Sequence, residues 1–494
     1  QNEKIWAVLI DTVSIQEYIF ASNKLKENLG ASFLVQEIYR SLLKEAICEV
    51  FSEQFDHWKQ HPEAFLLRNN QPFEIGYIGG GNALLLFREK NHVEKFLKEW
   101  TKRLLVKTPG ITTAVACQKT TLKDLKHQFR NVKKNVDCLL QVNRSKYIPQ
   151  TVLPRHGITA ECPRSGFSAE VKTKQDDADI YISSVTNAKL EAVPSTREQL
   201  QQEFGRILGD RFTFTDEISE LGQRPGEDSH IAIVHIDGND MSQRFQMVNS
   251  LRKFRTLSTQ VEEGTKEAFV ALVRHIVDKY DAMMKSLGWD PEADDEIRHC
   301  PWGDLTFTDQ SLVELQKLDL PSNVLTTLEK IKGQSVATTR ILDDLLQKRT
   351  GEKLTEQHKA WIVKHADKKK ILPIRSIIRG GDDITFVCDG RLGIYFAKLF
   401  IEFFEAEQKA RNLTGLTACA GVAIIKTKYP FFRGYTLAEE LCRSAKKARI
   451  YFKLTKQSLE NLKHEGITCE ILKALQPLEE QRFKEEKAFR EAIE

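Results

Sequence analysis

Two short apolar runs flank the tetrad Gly380-Gly381-Asp382-Asp383, and this stretch constrains the fold more than any other part of the chain. Apolar runs on either side of a glycine pair predict a β-hairpin with the acids at its tip. Glycine adopts the positive φ that a tight turn requires and lets a ligand approach the backbone closely. Neighbouring carboxylates on such a turn are hard oxygen ligands of the kind that Mg²⁺ prefers. A solvent-exposed turn without a ligand is the alternative, because Gly and Asp are common turn residues.

A further carboxylate lies at the end of a separate apolar strand. Residues Ile231 to Ile236 predict a buried strand that ends in Asp237 and continues through Gly238-Asn239 into a helix. A carboxylate at a strand end, beside a carboxylate hairpin, is how palm-type nucleotidyltransferases and cyclases hold two metal ions. The turn from Gly238 to Met241 also offers backbone N–H groups to a triphosphate. Together the two segments predict a site for phosphoryl transfer.

The composition is that of an ordinary globular protein. The chain has 494 residues, of which 41% are hydrophobic and 29% charged, a length that suits roughly two to four domains. Lys+Arg 73 against Asp+Glu 69 leave a net charge of +4, so a general nucleic-acid coat is not expected. No apolar run reaches the roughly 18 to 20 residues of a membrane helix. Nine scattered cysteines and no signal-peptide layout predict a cytoplasmic protein with reduced thiols.

One order of elements occurs twice along the chain. In the first half a strand over Ile5 to Ile10 ends in Asp11, and a later hairpin carries Gly79-Gly80-Gly81-Asn82 at its tip. In the second half the strand before Asp237 and the acid-tipped hairpin take the same places. The pattern predicts an α+β fold with two ferredoxin-like palm domains that arose by internal duplication. Because the first copy lacks both hairpin acids, we assign chemistry to the second copy and a structural or acceptor-binding role to the first.

The predicted boundaries follow from this repeat. Residues 1–147 form the first palm domain, 148–229 a connector, 230–470 the second palm domain and 471–494 a C-terminal helix. A helical insertion at about 288–372 interrupts the second palm domain, and its Lys368-Lys369-Lys370 run is predicted to end a helix. In the first domain, Asn23 to Ser32 is predicted to be a polar bend, followed by an amphipathic helix from about Phe33 to Phe55.

Asp237-Gly-Asn-Asp-Met241 combined with Gly380-Gly-Asp-Asp383 resembles the CRISPR polymerases, the large palm-domain subunits of type III CRISPR effectors and their stand-alone relatives. Ser14 to Phe20 followed by Ser22 to Ser32 is similar to the opening of that family's first palm domain. The resemblance implies two palm domains in one active site, with ATP on the second as donor and an acceptor on the first. It also implies 3′-OH attack on the α-phosphate and cyclic (oligo)adenylate messengers in antiviral defence. No histidine-aspartate nuclease domain is expected, which favours a stand-alone or reduced member.

Asp237, Asp382 and Asp383 are the predicted catalytic residues and the ligands of two Mg²⁺ (or Mn²⁺) ions. The remaining candidates are nucleotide contacts from both domains. They are Gly238, Asn239, Asp240, Met241, Gly380, Gly381, Lys446 and Arg449 in the second domain and Asn23, Lys24, Asn28 and Ser32 in the first. Arg443, Lys446 and Arg449 share one helix face, and the resemblance matches Lys446 to the triphosphate; a solvent-exposed cationic face is the alternative. ATP is the expected substrate, RNA or CRISPR effector subunits are candidate activators, and no membrane partner is expected.

Two other functions remain open at this stage. One is a GGDEF-like diguanylate cyclase, although such enzymes carry one palm per chain and an aromatic residue where this chain has Ile384. The other is a non-catalytic nucleotide- or RNA-sensing subunit of a CRISPR effector complex. Three acids held close together argue against the sensor, because their mutual repulsion is costly without a metal ion.

Overall fold

The computed structural model describes residues 3–51, 58, 71–146, 157–175, 178–222, 229–287, 302–334, 336–351, 354–413 and 415–464. In this part of the chain, helices surround several mostly antiparallel sheets, as an α+β protein requires. No helix among the described residues is both long and apolar enough to cross a membrane. The predicted C-terminal helix over 471–494 lies outside the described residues.

The strands of the described residues are β1 (Lys4–Val13), β2 (Phe73–Gly79), β3 (Asn82–Phe87), β4 (Thr112–Thr121), β5 (Val171–Gln175), β6 (Ala178–Ile182), β7 (Phe212–Thr213), β8 (His230–Gly238), β9 (Trp302–Thr306), β10 (Val336–Thr338), β11 (Asp367–Ile371), β12 (Ile374–Gly380), β13 (Asp383–Asp389) and β14 (Ala418–Lys426).

The α-helices are α1 (Ile15–Phe20), α2 (Leu25–Glu37), α3 (Leu43–Phe51), α4 (Lys90–Lys107), α5 (Leu122–His127), α6 (Phe129–Lys146), α7 (Ser184–Glu191), α8 (Val193–Leu208), α9 (Ser219–Gly222), α10 (Met241–Met247), α11 (Leu251–Ser286), α12 (Asp309–Gln316), α13 (Ser322–Lys330), α14 (Thr339–Thr350), α15 (Glu356–His365), α16 (Gly393–Ala410) and α17 (Phe431–His464). A π-helical turn (Ile38–Leu42) joins α2 to α3.

Two four-stranded antiparallel sheets have the same arrangement. The first has the order β2-β3-β1-β4 and the second β12-β13-β8-β14. In each sheet the hairpin lies at one edge, the strand with the conspicuous aspartate comes next, and the last strand closes the other edge. Each hairpin also has a β-bulge shortly before its tip, between Ile75 and Tyr77 in one and between Ser376 and Ile378 in the other. The two hairpins therefore match in register as well as in order.

The polar bend predicted over Asn23 to Ser32 is wrong, because most of this stretch belongs to helix α2, which begins at Leu25. Gly30 suggested a turn, but its role here is close packing between helices. A Cβ on Gly30 would lie 1.8 Å from the carbonyl oxygen of Lys189 in α7. Glycine is thus required for the approach of two helices rather than for a positive φ.

The insertion predicted to be helical also contains strands. Within its described part, β9, β10 and β11 form a sheet in the order β10-β9-β11-β7, and β7 comes from the predicted connector. Lys368, Lys369 and Lys370, predicted at a helix end, lie in β11. These strands have three to five residues, which is too short for alternation to stand out beside the helical spacing of α12 to α15.

The two main sheets share a core. One apolar cluster extends from the first sheet to residues of the second, including Ile233, Val387 and Tyr435. Phe20 of α1 stacks on Tyr435 of α17 with ring centroids 3.9 Å apart. Arg255 of α11 is 1% exposed and donates to Glu74 Oε1 (2.6 Å) and to the Gly76 carbonyl (2.7 Å) in β2. Apolar burial and a buried ion pair thus join the halves of the chain.

Candidate active site

The register of the second sheet brings the predicted acids together. Asp237 near the end of β8 is the direct antiparallel partner of Asp383 at the start of β13. Gly380 pairs with Asp383 across the hairpin, so Gly381 and Asp382 form a two-residue turn. Gly381 has φ 61°, which a glycine adopts at little cost. The predicted hairpin is present, and its acids converge with Asp237 at one point of the sheet.

Asp382 lies directly over Gly238 and leaves no room for a side chain there. A Cβ on Gly238 would be 2.9 Å from both Asp382 Cβ and Asp382 Oδ2. The Gly238 N–H also donates to the Asp382 carbonyl at 3.1 Å. The close approach of these two backbones holds the Asp382 carboxylate beside the end of β8.

Burial and mutual repulsion raise the pKa values of two of the acids. Burial, followed by the charge of Asp237, raises the pKa of Asp382 to about 7. Burial, followed by the charges of Asp237 and Asp382, also raises the pKa of Asp383 well above its ordinary value. Carboxyl groups with raised pKa values are poised to bind a cation, because a cation removes the electrostatic cost of their ionisation.

A lysine already neutralises part of this charge. Lys446 Nζ of α17 donates to Asp237 Oδ2 at 2.6 Å and to the Gly238 carbonyl at 2.9 Å. One turn later, Arg449 Nη2 lies 2.7 Å from Asp240 Oδ1. The ammonium group of Lys446 thus stands where a cation would contact Asp237, and it is within reach of anything bound at the three acids.

The donor set suits a divalent cation that is held partly by substrate. Among the described residues, no group of three or more His, Cys, Asp and Glu side chains has the geometry of a metal site. Asp383 Oδ1 is nevertheless buried and has no hydrogen-bond partner in the described part of the chain. Mg²⁺ is usually bound by one or two carboxylates together with substrate phosphates and water. The residues therefore fit Mg²⁺ or Mn²⁺ that binds together with a nucleotide.

The turn after β8 offers fewer N–H groups than its sequence suggests. The Gly238 N–H is bonded to Asp382, and the Asn239 N–H donates to the Thr417 carbonyl at 2.8 Å. The Asn239 side chain also points to Thr417, whose Oγ1 accepts from Nδ2 at 2.9 Å. The Met241 N–H, at the start of α10, stays a candidate phosphate donor.

Beneath the acids lies a polar pair that the sequence analysis did not assign. His235 is 4% exposed, and its Nδ1 lies 3.0 Å from Thr385 Oγ1 and 3.6 Å from Asp383 Oδ1. Burial lowers the pKa of His235, which favours its neutral form. Tyr435 packs edge-on against the imidazole at 5.7 Å. A histidine two residues before Asp237 on the same strand was the available signal, since alternate residues share a face.

The first sheet repeats this geometry with different side chains. Asp11 of β1 pairs with Asn82 of β3, as Asp237 pairs with Asp383. Arg144 of α6 lies 3.3 Å from Asp11 Oδ2, so an ion pair again links the strand aspartate to a helix that follows the last strand of the sheet. Burial raises the pKa of Asp11, while Arg144 opposes that rise. The first sheet thus has one carboxylate where the second has three.

The two hairpin tips face each other inside one cleft. A Cβ on Gly381 would lie 3.8 Å from the Cα of Gly80. The cleft around the tips encloses about 1590 Å³, more than the roughly 300–1,000 Å³ of a site for one drug-sized ligand. The volume is therefore sufficient for more than one nucleotide.

Charge is divided between the two sides of the cleft. Among the described lining residues up to position 146, five are cations and two are acids: Arg40, Arg130, Lys133, Lys134 and Arg144 against Asp11 and Asp137. The described lining residues from position 199 onward include six acids and four cations: Glu203, Asp237, Glu262, Asp382, Asp383 and Glu439 against Lys266, Arg379, Arg443 and Lys446. One wall is basic and the opposite wall is acidic.

The predicted nucleotide contacts divide into two groups. Met241, Gly380, Gly381, Lys446 and Ser32 line the cleft together with the three acids. Gly238 adjoins it through its contact with Lys446.

The other candidates lie outside the lining. Asn239 and Asp240 bond to Thr417 and Arg449 as described above. Asn23 Oδ1 accepts from the Phe431 N–H at 2.9 Å, at the start of α17. Lys24 is exposed, and Asn28 is completely buried.

Fold and site define an α+β protein in which two matching antiparallel sheets present their hairpin tips to one cleft, one tip carrying carboxylates. No protein-family model matches the chain, and no curated protein matches it. Among solved structures it is similar to a Csm1–Csm4 cassette in complex with one ATP (12% identity, TM-score 0.47, 91% of this chain and 54% of that chain). It is also similar to the same cassette in complex with AMPPNP (13%, 0.46, 91% and 54%) and without ligand (11%, 0.44, 91% and 53%). The chain spans about half the length of these solved chains, and such identities and TM-scores are too low to transfer an activity.

Proposed function

We propose that this protein is a nucleotidyltransferase that joins and cyclises ATP into a cyclic (oligo)adenylate messenger, in CRISPR-linked antiviral defence. The observation that carries the proposal is the convergence of Asp237, Asp382 and Asp383, with raised pKa values at the last two, beside Lys446. The resemblance of the two acid motifs to the CRISPR polymerases supplies the choice of ATP and the biological setting. In this proposal the two sheets are duplicated palm domains.

The three acids would hold Mg²⁺ or Mn²⁺ together with the donor triphosphate. When bound, such an ion would neutralise the carboxylates and phosphates and would favour the ionised form of the attacking 3′-hydroxyl. Lys446 would exchange its contact with Asp237 for a phosphate oxygen, because the ion then balances the aspartate. The Met241 N–H would contact the same phosphates.

The acceptor would lie on the opposite wall of the cleft, where Arg144 and Ser32 are candidate contacts. Its 3′-hydroxyl would release its proton to solvent, and the 3′-oxygen would attack the α-phosphorus of the donor. The bond from that phosphorus to the bridging oxygen would break, and pyrophosphate would leave. Such a reaction depends on positioning and charge neutralisation more than on covalent help from the protein. The two facing walls of the cleft would position the two nucleotides. The three acids would hold the metal ion that neutralises the phosphates.

The proposal is tested by incubating the purified chain with Mg²⁺ and each labelled NTP separately, with and without RNA, and resolving the products by mass spectrometry. We expect cyclic adenylates and pyrophosphate from ATP and none from GTP, and no product from an Asp382→Ala/Asp383→Ala variant. Cyclic diguanylate from GTP would instead support the GGDEF-like alternative. ATP binding without product under every condition would support a non-catalytic sensor.

A further inference from the structure

Helix α6 forms much of the basic wall of the cleft. The cleft-lining residues of α6 recur at intervals of three and four, which places them on one helix face. They are Phe129, Arg130, Lys133, Lys134, Asp137, Cys138, Gln141 and Arg144. This face carries four cations and one acid, so it is strongly basic along its length.

The four cations of this face are in two different situations. Arg144 pairs with Asp11 at 3.3 Å, and Lys133 pairs with Asp137 at 2.5 Å. Arg130 and Lys134 are exposed to the cleft, and neither forms an ion pair with any described residue. Unbalanced cations in a concave surface attract anions more strongly than the same cations on a convex one.

The two unbalanced cations lie well away from the predicted acceptor contact. They are four residues apart, about 6 Å along the helix axis, and Arg144 lies about 15–21 Å further along. This separation exceeds the phosphate chain of a single nucleoside triphosphate bound beside Arg144. A ligand for Arg130 and Lys134 must therefore be a second anion or a longer one.

The same end of α6 packs beside the segment that follows the acid Asp237. Phe129 contacts Phe254 at 5.8 Å, and Phe254 contacts Phe245 of α10 at 4.9 Å. Helix α10 begins four residues after Asp237 and lines the cleft through Ser242, Phe245 and Gln246. An extended ligand that leads away from the acids along α10 therefore reaches the N-terminal end of α6.

We propose that Arg130 and Lys134 form a subsite for the phosphodiester backbone of a single-stranded oligonucleotide, separate from the site at the three acids. Two cations about 6 Å apart along one helix face successive phosphates of a chain. The contacts are to phosphate, so they carry no base specificity. If the proposed function holds, the bound oligonucleotide is the oligoadenylate that the protein itself extends. The same phosphate contacts also fit a single-stranded RNA that the protein does not synthesise.

Binding is measured first, without catalysis. A fluorescein-labelled six-nucleotide oligoadenylate is titrated with the full chain in EDTA at several salt concentrations, and anisotropy is followed. We expect Arg130→Ala/Lys134→Ala to bind about tenfold more weakly and to lower the salt slope by about 1.4, because each single-strand phosphate contact contributes about 0.7. The control is Lys95→Ala/Lys98→Ala, which removes two exposed cations of α4 outside the cleft and should bind as the wild type does.

The outcomes separate the subsite from the proposed function. Equal binding by both double variants, or no binding by the wild type, would overturn the subsite whatever the activity of the protein. Weaker binding together with a lower ratio of long to dinucleotide products from ATP identifies the growing chain as the ligand. Weaker binding with unchanged product lengths supports the subsite and assigns it to external RNA. Failure of the proposed function shows separately, as a wild type that binds oligoadenylate but makes no product.

Discussion

At the tip of the second sheet Asp237 lies beside Asp383, whereas at the tip of the first sheet Asp11 lies beside Asn82. Two residues further from each tip the contrast continues. His235 faces Thr385 in the second sheet, and the matching positions of the first sheet hold Leu9 and Leu84. One backbone arrangement thus supports either a polar layer under three acids or an apolar layer under a single one.

The two hairpin tips differ in the groups around them as well as in the number of their acids. The acidic tip has Lys446 beside it and a buried imidazole–hydroxyl pair beneath it. The other tip has the Arg144 contact with Asp11 and a leucine layer. We infer that the groups around the acidic tip support the function of its acids and that the other tip lacks this function. Four experiments test this inference.

The largest expected effect is the loss of activity when one acid is removed. Asp383→Ala should lower pyrophosphate release from ATP by about 10³-fold, the upper end for loss of one electrostatic contact to a transition state. Asp11→Ala on the other tip should stay within about tenfold, because one carboxylate paired with Arg144 is not expected to hold the metal ions. Equal losses would show that both tips take part in the chemistry.

The two helix cations give the next contrast. Lys446→Ala should lower kcat/KM for ATP by about 10²-fold, because it removes the positive charge that would contact the donor phosphates. Arg144→Ala should act mainly on KM, since we place it at the acceptor. Steady-state kinetics on both variants separates these effects, and the reverse pattern would exchange donor and acceptor walls.

Replacing the polar layer by the leucine layer tests its support of the acids. In His235→Leu/Thr385→Leu the new residues are those that the first sheet already accommodates, so the fold should persist. The affinity for Mn²⁺, measured by electron paramagnetic resonance, should fall by about tenfold, the usual effect of losing a group behind a metal ligand. An unchanged affinity, with an unchanged unfolding temperature, would show that the layer only fills space.

The smallest expected effect is a pH dependence of stability in the metal-free protein. The pKa of Asp382 is raised to about 7 in the folded state, so its carboxyl ionises more readily when unfolded. This group therefore opposes folding as the pH rises from about 4 to about 7. Asp382→Asn should match the wild type near pH 4 and melt a few degrees higher at pH 7.5.

Two comparisons check the origin of this shift. Saturating Mg²⁺ should raise the melting temperature of the wild type at pH 7.5 and leave Asp382→Asn less affected. Asp11→Asn should give a smaller difference, because Arg144 opposes the rise in the pKa of Asp11. A melting-temperature gap between Asp382→Asn and the wild type that widens as the pH falls from 7.5 to 4 would contradict the sign of the effect.

The sequence was most informative where a local pattern determines the backbone. Gly380-Gly381 between apolar runs requires a hairpin, and the apolar run before Asp237 requires a buried strand, so both elements could be predicted. Their alignment in one sheet could only be inferred from the repeated order of elements. The register that places Asp383 opposite Asp237 is a property of the whole sheet.

Contacts between distant segments could not be predicted. Asn239 looked available to a nucleotide, but Thr417, which is 178 residues away, holds its side chain. Gly30 looked like part of a turn, but a glycine is needed there because the backbone of Lys189 packs directly against it. The contacts of such residues are made by neighbours that are distant in sequence, and local spacing does not reveal them.

The burial of Arg255 against Glu74 has a consequence for how the chain can be divided. Arg255 belongs to the half with the acids, and Glu74 belongs to the other half. Separate expression of either half would expose apolar surface, including Phe20 or Tyr435, and would leave one member of the ion pair without its counterpart. We expect fragments cut between the two sheets to aggregate, and to recover a native spectrum only when mixed. The two sheets are therefore an obligate pair, although each has the outline of a domain.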